Sequence, residues 1–276
     1  MSTKKRNQKI PVQTKQEFQE FFFRFKTDDS LIPTSEVVRD QAIFPPDIDD
    51  LYRLYRLVRD TAVISAIEYG SGWSTFALSK GIWENKESFG DNYIGYRNLN
   101  AFKLKTVDAS SFFLKKAINR IPISYQSVVL SQVATPKLVT EYNQCSVMWT
   151  PVQRVDYDLI YIDGPEPEQV VREQTEFPIS TIYDLPIMGD LVRYESYILP
   201  STLILFDGRT SNFRHFKRHF SRDWKYVSNL QSDYSLMCLN ESPIGSINAQ
   251  HLDFREKHSQ ASLKEIESWG MSIGEN

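Results

Sequence analysis

The chain has 276 residues, of which 41% are hydrophobic and 24% are charged. This composition fits one folded domain with extensions and excludes a wholly disordered, collagenous or coiled-coil protein. The net charge of −3 lacks the basic excess of a nucleic-acid binder, so nucleic acid is not expected as a partner. Two cysteines, Cys145 and Cys238, cannot build a disulfide scaffold, and no stretch approaches the ~20 apolar residues of a membrane span. We expect a cytoplasmic protein without a membrane partner.

The first 60 residues precede the first strand-like run and divide into two parts. Residues 1–12 are basic and lack apolar periodicity, which predicts a disordered lead-in. Residues 13–60 are expected to form a helical extension. In its second half, Asp47 is a predicted N-cap, and apolar residues recur at helical spacing from Leu51 to Val58.

Between residues 61 and 244, short apolar runs alternate with helical patterns, and four of the runs end in an acid. These runs cover residues 62–68, 102–108, 157–163 and 202–207, and their acids are Glu68, Asp108, Asp163 and Asp207. Strands that alternate with helices form a parallel sheet with helices on both faces. The pattern predicts an α/β protein with a three-layer α-β-α, Rossmann-like domain over residues 61–244.

Weaker patterns complete this domain. Residues 125–133 are expected to add a strand, and residues 224–227 and 234–239 to close the sheet. Residues 83–99 form a polar insertion that periodicity does not assign, and both a lid and an elaborated loop are consistent with it. Residues 245–276 are expected to form a polar C-terminal tail, with one helix at about 262–269.

The turn after the first acid-ended run contains the most informative residues. Gly70-Ser71-Gly72 separates this run from a helical pattern that begins at Trp73. Ligands of open α/β sheets bind beyond the carboxyl ends of the strands, so the glycines and the four acids should meet in one crevice. Without a Cβ, glycine can turn sharply and bring its backbone close to a ligand. Thr75 replaces the third glycine of a dinucleotide-binding motif, and no P-loop sequence follows.

The segment Glu68-Tyr-Gly-Ser-Gly-Trp-Ser-Thr75 resembles the first motif of the class I S-adenosylmethionine-dependent methyltransferases, in the branch that reads Glu-x-Gly-Ser-Gly-x-Ser-Thr. The resemblance extends over residues 62–239, and the runs that end at Asp163 and Asp207 are similar to the family's fourth motif and fifth strand. It implies a seven-stranded, mostly parallel sheet with an antiparallel final strand, to which the sequence pattern adds the N-terminal helical extension. It also implies S-adenosyl-L-methionine (SAM) as the cofactor.

The resemblance further implies roles for individual residues. The glycine turn would wrap the methionine part of the cofactor, and Asp108 would hold the ribose hydroxyls, since a carboxylate can accept from two neighbouring hydroxyls. The cofactor-binding residues implied in this way are Glu68, Gly70, Ser71, Gly72, Trp73, Thr75 and Asp108. Four of them have a structural alternative: Gly70 and Gly72 as residues that only shape the strand-to-helix turn, Glu68 as a helix cap or a partner of turn amides, and Trp73 as a core aromatic.

Asp163 is the candidate catalytic residue, which would orient or deprotonate the acceptor. Asp163 and Asp207 also resemble the strand-end acids of metal-assisted O-methyltransferases, and adjacent strands ~4.8 Å apart would let them share a divalent cation. Those enzymes place Asn after the second acid, whereas this chain has Gly208. The alternative is that both acids only cap helices.

The expected activity is SAM-dependent methyl transfer to a hydroxyl of a small molecule or glycan. Walls of the acceptor site are expected from residues 14–60, 83–99 and 164–186, which lie outside the shared sheet. A nucleotide-dependent oxidoreductase or sugar-modifying enzyme is one alternative function. A catalytically degenerate methyltransferase-fold binding protein is the other.

The segment 209–225 concentrates positive charge, with a phenylalanine stripe on one side and Arg218 and Arg222 on the other. A solvated helix face explains this pattern, and a surface for an anionic substrate or partner is the alternative. His215 and His219 have the spacing of a zinc-binding pair, but no Glu follows the first histidine as it does in zincins.

Overall fold

A computed structural model of the protein describes residues 9–26, 46–95, 100–141, 144–152, 156–171 and 186–261. The helix expected near 262–269 and residues 1–8 of the expected lead-in lie outside these ranges. Residues 9–12 lie against the domain: the Ile10 backbone N–H donates to the Ser88 hydroxyl at 3.1 Å, and Arg59 donates to the Ile10 carbonyl at 2.6 Å. Residues 9–12 therefore differ from the disordered lead-in that the sequence predicts for residues 1–12.

Nine strands and eight α-helices lie within the described residues. The strands are β1 Ser65–Tyr69, β2 Lys103–Asp108, β3 Val129–Val133, β4 Thr135–Glu141, β5 Gln144–Thr150, β6 Leu159–Ile162, β7 Leu203–Asp207, β8 Trp224–Asn229 and β9 Tyr234–Leu239. The helices are α1 Lys15–Lys26, α2 Ile48–Asp60, α3 Trp73–Phe89, α4 Ser111–Asn119, α5 Ile123–Gln126, α6 Asp190–Tyr194, α7 Thr210–His219 and α8 Ser246–His258.

Seven strands form one sheet in the order β3-β2-β1-β6-β7-β9-β8. β9 is antiparallel to both of its neighbours, and the pairs from β3 to β7 are parallel. The chain leaves β1 toward β2 and β3 and later returns to β6 on the other side of β1, so the strand order reverses between β1 and β6. This sheet confirms the predicted Rossmann-like α/β fold with its antiparallel final strand.

Alternate residues of the strands enter two cores, one on each face of the sheet. One core contains Ala66, Leu104 and Leu159 and receives α1, α2, α3 and α8. The other contains Ile67 and Ile160 and receives α6 and α7. α2 packs its apolar stripe into the first core, and its first turn is capped by the Asp47 side chain, which accepts from the Asp49 N–H at 2.8 Å.

α3 is longer than the sequence predicts, which corrects the interpretation of residues 83–99. The helix continues to Phe89, so the first part of the supposed insertion is neither a lid nor a loop. Its polar residues are buried because α2 supplies partners: Arg59 contacts Glu84 at 3.3 Å, and the Tyr55 hydroxyl donates to Glu84 at 2.8 Å. Residues 96–99 lie outside the described chain.

The C-terminal segment also differs from the polar tail that the sequence predicts. α8 docks on the domain with His251, Phe254 and Arg255 buried. His251 Nε2 lies 2.8 Å from the Asp158 carboxylate, and Arg255 Nη1 lies 3.5 Å from the same group. This charged anchor holds the helix together with the Phe254 ring, whose centroid lies 5.8 Å from that of Phe89. None of the described helices combines the length and the apolarity that crossing a membrane takes.

Candidate active site

The four strand-end acids lie at one edge and on one face of the sheet. β1, β2, β6 and β7 are parallel, so their carboxyl ends point to the same edge. Each acid stands an even number of positions after a residue of the first core in the same run: Glu68 after Ala66, Asp108 after Leu104, Asp163 after Leu159 and Asp207 after Leu203. Because side chains alternate along a strand, the acids face the side covered by α2 and α3. The expected convergence in one crevice is therefore consistent with the fold, and the crevice lies where the strand order reverses.

Gly70 closes β1 with a backbone that other residues rarely adopt. Its φ is +95°, and its N–H donates to the Val107 carbonyl of β2 at 2.9 Å. A Cβ on Gly70 would lie 3.0 Å from the backbone nitrogen of Gly164, just beyond β6. Glycine is required here by the backbone conformation and by the close approach of two chain segments.

Gly72, in contrast, is not required by any protein contact in the described residues. Its φ of −171° is open to other residues, and a Cβ there would meet only the Ser74 hydroxyl, at 3.9 Å. Gly72 is the N-cap of α3, where the free N–H groups and the helix dipole favour negative charge and hydrogen-bond acceptors. The open space beside this backbone is a cradle that a side chain would fill.

Asp108 ties the glycine turn to β2. Its Oδ2 accepts from the Ser71 N–H at 2.8 Å and from the Ser71 hydroxyl at 2.5 Å. Its Oδ1 accepts from the Ser110 N–H at 2.7 Å. Each carboxylate oxygen has two acceptor positions, so Oδ1 retains one for a ligand hydroxyl. Asp108 thus ends the second strand, as its predicted ribose-binding role requires, and it also has a structural role in the turn.

Glu68 is fully buried beneath the turn. The Ser74 hydroxyl donates to its Oε1 at 2.6 Å, and its Oε2 has no hydrogen-bond partner in the described part of the chain. Burial raises the pKa of Glu68 to about 7, although hydrogen bonding from the Ser74, Thr75 and Thr106 hydroxyls opposes the shift. A buried carboxylate with an oxygen that lacks a hydrogen bond destabilises the folded state, and a bound cation would compensate its charge.

The remaining two residues of the motif face the protein interior. The Thr75 hydroxyl accepts from the Gly72 N–H at 3.2 Å, which holds the turn on the first residues of α3. Trp73 is buried against Phe22 of α1, with ring centroids 5.0 Å apart, and the Arg120 guanidinium lies 4.0 Å from its ring centroid. These contacts favour the core-aromatic alternative for Trp73, and a direct cofactor contact stays a prediction.

Asp163 follows β6 at the centre of the crevice. Its N–H donates to the Tyr69 carbonyl at 3.0 Å, and Arg209 donates to its backbone carbonyl, not to its carboxylate. Burial raises the pKa of Asp163 well above its ordinary value, the positive charge of Arg209 opposes this, and the charge of Asp207 adds to it. A partly exposed carboxyl with a raised pKa in a crevice is a candidate proton acceptor.

Asp207 ends β7 beside Asp163 and is connected to α2. The Tyr161 hydroxyl donates to Asp207 Oδ2 at 2.7 Å. Burial raises the pKa of Asp207, while the Tyr161 hydrogen bond and the positive charge of Arg53 lower it. Arg53 lies on α2 with its guanidinium 4.2 Å from the ring centroid of Tyr234, the strand partner of Asp207. The first turns of α2 therefore cover this side of the crevice, within the segment 14–60 expected to contribute an acceptor wall.

A metal centre receives no further support from the structure. Asp163 and Asp207 are neighbours on adjacent strands, but the described residues contain no group of three or more His, Cys, Asp and Glu side chains that could hold a metal ion. The shared-cation hypothesis stays untested. The His215 and His219 rings lie 4.4 Å apart on α7, outside this crevice.

The basic segment 209–225 separates into structural and surface residues. Arg209 is buried and donates to the Pro165 carbonyl at 3.2 Å and to Glu166 at 2.7 Å. Arg222 donates to the Ile198 carbonyl at 2.5 Å and to Glu241 at 2.5 Å. Arg218 is exposed. Arg209 and Arg222, which flank α7, are thus used to hold loops, so the segment 209–225 has less free charge than the sequence pattern indicates.

Sequence reasoning missed three residues of the crevice: Asp50, Arg53 and Tyr161. Asp50 and Arg53 stand in a helix whose apolar stripe is its obvious signal, and their polar contacts cross from α2 to strands far away in the sequence. Tyr161 lies inside an apolar run, where an aromatic residue is expected to be core. Its position two residues before Asp163 was the available signal, since it places both side chains on one face.

The chain matches no family model and no curated protein. Similar solved structures include the O-methyltransferase TomG of Streptomyces achromogenes, involved in tomaymycin synthesis and solved with SAM, at 10% identity over 83% of this chain and 100% of that chain, with a TM-score of 0.43. The S-adenosylhomocysteine (SAH)-bound methyltransferase PaMTH1 of Podospora anserina is 11% identical over 86% and 92% of the two chains, with a TM-score of 0.42.

An O-methyltransferase of Bacillus cereus, solved in complex with SAH, is 12% identical over 84% of this chain and 93% of that chain, with a TM-score of 0.38. At these identities and TM-scores, the similarities carry no conclusion about function. The fold assignment rests on the strand order of the chain itself, and the function rests on its own residues.

Proposed function

We propose that the protein transfers a methyl group from SAM to a hydroxyl of a small molecule or glycan. The observation that carries this proposal is the pair of glycines. Gly70 is fixed by its contact with Gly164, whereas Gly72 leaves an open cradle at the start of α3 that no protein group needs. This cradle lies between Asp108 and the crevice acids, where the strand order reverses, which is the usual ligand site of such sheets.

The residues around the cradle fit a nucleoside that bears a sulfonium. The free acceptor position on Asp108 Oδ1 suits a ribose hydroxyl, and the N-terminal backbone of α3 suits the carboxylate of a methionine moiety. The half-satisfied Glu68 carboxyl beneath the turn favours a positive charge above it. When bound, SAM supplies a methyl group on a leaving group that departs without protonation.

Asp163 is the proposed proton acceptor. The acceptor hydroxyl gives its proton to the Asp163 carboxylate while its oxygen forms a bond to the methyl carbon, and the pair of the breaking carbon–sulfur bond stays on sulfur. Most of the rate would come from alignment and exclusion of water by the crevice, since the sulfonium is already an activated leaving group and needs no acid to protonate it. Because the pKa of Asp163 is raised, methyl transfer is expected to increase with pH as this carboxyl ionises.

Thr75 argues against the oxidoreductase alternative. A dinucleotide-binding turn uses a third glycine so that the helix can pack closely beside a pyrophosphate. Here the buried Thr75 hydroxyl occupies this position and binds the Gly72 N–H. A side chain thus stands at the position where the pyrophosphate motif needs a bare backbone, while the space beside Gly72 stays open.

Calorimetric titration with SAM and SAH tests the cofactor site. Asp108→Asn keeps an acceptor oxygen for the turn but removes the charge, so we expect the affinity for both ligands to fall by about 1.5–3 kcal/mol, because both carry the ribose. Asp91→Asn, an exposed acid beyond α3, is the matched control. Unchanged affinity in Asp108→Asn would remove Asp108 from the site, and absence of SAM binding to the wild type would overturn the proposed function.

A further inference from the structure

Trp73 connects the first core to the proposed cofactor site. It is the first residue of α3 and directly follows the Gly72 cradle. Its ring is 8% exposed and belongs to the first core. Its backbone, in contrast, starts the helix end against which the methionine carboxylate of the cofactor is proposed to lie. Contacts that hold the ring therefore also hold this end of α3.

In the described chain, no side chain caps the first turn of α3. Its N-cap is Gly72, which has no side chain to accept from the N–H groups of the turn. The Ser74 hydroxyl donates to Glu68 beneath the turn, and the Thr75 hydroxyl accepts from the Gly72 N–H within it. Neither contact joins the turn to a neighbouring helix, so its placement against those helices depends on the packing of its apolar side chains.

Phe22 of α1 supplies one of the packing contacts. The Phe22 and Trp73 rings meet edge to face, with centroids 5.0 Å apart, and Phe22 is fully buried. Phe22 also contacts Phe76, three residues further along α3, at a centroid distance of 5.4 Å. Residues three apart are neighbours on one face of a helix. α1 therefore packs against the first turn of α3 at two neighbouring positions of one face.

Arg120 supplies the second contact of the Trp73 ring. It is the C-cap residue of α4, and its guanidinium carbon lies 4.0 Å from the centroid of the ring. A cation over the face of an aromatic ring is attracted by its electrons, and tryptophan is the best partner. The ring is thus held by α1, which precedes the glycine motif in the chain, and by α4, which follows it.

We propose that Trp73 is a positioning residue for the amino-acid part of the cofactor and that Phe22 and Arg120 act through it. This inference rests on the proposed function. The two contacts hold the first turn of α3, and with it the Gly72 backbone, where a carboxylate can accept from the N–H groups of the helix start. A binding group that is displaced by about 1 Å makes poorer hydrogen bonds, so the packing behind a site contributes to its affinity. The ribose is proposed to bind Asp108 on β2, so its binding depends less on this turn.

Two ligands separate positioning from a general loss of structure. SAH contains the amino-acid part of the cofactor, and methylthioadenosine has the same nucleoside without it. Both are titrated by calorimetry into the full-length wild type, Phe22→Ala, Arg120→Met and Trp73→Leu. In the variants, we expect Kd for SAH to rise about tenfold or more, while Kd for methylthioadenosine stays within about twofold of the wild type. Trp73→Phe keeps an aromatic ring and should lie between the wild type and Trp73→Leu.

Phe254→Ala is the matched control. Phe254 is also a buried ring of the first core, but it packs on Phe89, the last residue of α3, at a centroid distance of 5.8 Å. Its loss should leave the ratio of the two Kd values unchanged. Arg120 is only partly buried, so Arg120→Met tests the inference even if Phe22→Ala does not fold.

Two results would show that the inference is wrong. One is an unchanged Kd for SAH in the folded variants, and the other is an increase of both Kd values by the same factor, which a merely structural role would produce. Absence of SAH binding to the folded wild type would instead overturn the proposed function, so the two failures are distinguishable.

Discussion

Two glycines of the turn are needed for different reasons, and substitution separates them. Gly70→Ala places a side chain at positive φ against Gly164, so we expect a loss of stability of about 1–3 kcal/mol. Gly72→Ala meets open space, so its stability should stay within about 0.5 kcal/mol of the wild type, while its affinity for SAM falls at least about tenfold. Denaturant unfolding and calorimetry measure the two effects.

Gly245→Ala provides the control for the backbone cost alone. Gly245 also has positive φ, at +86°, but a Cβ there would meet nothing within 4 Å. Gly70→Ala should therefore be the more destabilising of these two variants. If Gly72→Ala binds SAM as tightly as the wild type, the cradle is not a cofactor site.

Glu68 is expected to make folding stability depend on pH. Its pKa is about 7 in the folded protein against an ordinary value of 4.5, so the folded state holds this proton more tightly than the unfolded chain. Stability is therefore lost as the pH rises from about 4.5 through 7. In the wild type, the unfolding free energy is expected to fall by a Glu68 contribution on the order of 3 kcal/mol between pH 5 and pH 8. Glu68→Gln should abolish this contribution. An equal pH dependence in wild type and variant would contradict this assignment.

At the scale of elements, α8 is held by a buried charge cluster. Asp158 accepts from the Ile64 N–H at 2.8 Å and pairs with His251 and Arg255 of α8. Although burial opposes it, the charges of Arg255 and His251 keep the pKa of Asp158 well below its ordinary value. This contribution to stability is present above the ordinary value of 3.8 and is lost as the pH falls below it.

Asp158→Asn leaves the buried Arg255 guanidinium without its counter-charge and changes the hydrogen-bond partner of His251. We expect it to destabilise the protein by about 3–5 kcal/mol and to accelerate amide hydrogen exchange throughout α8. Asp253→Asn, on the exposed side of the same helix, should change neither quantity. Protection of α8 that is equal in Asp158→Asn and the wild type would show that other contacts hold the helix.

The sequence predicted the elements whose signals are local. The four acid-ended apolar runs became β1, β2, β6 and β7, because strands buried on both faces read as continuous apolar stretches. α8 and the second half of α3 were missed because their buried residues are polar and are compensated by distant partners: Asp158 for α8, and Arg59 for Glu84 in α3. The antiparallel pair β4 and β5 stands outside the main sheet and was not predicted either.

At the scale of the whole molecule, the sequence predicted the part of the candidate site that depends only on the sheet topology, which is the convergence of the strand-end acids. Parallel strands bring their carboxyl ends to one edge, so acids at strand ends converge wherever the strands are in the chain. The residues that α2 contributes were not predicted, because their position depends on where this helix packs across the sheet.

A crystal structure of the protein grown with SAH tests the central claim most directly. The account predicts the amino-acid part of the ligand against the backbone of Gly70 and Gly72, with its ribose hydroxyls beside Asp108. A ligand bound elsewhere, or a cradle filled by side chains of the protein, would contradict it.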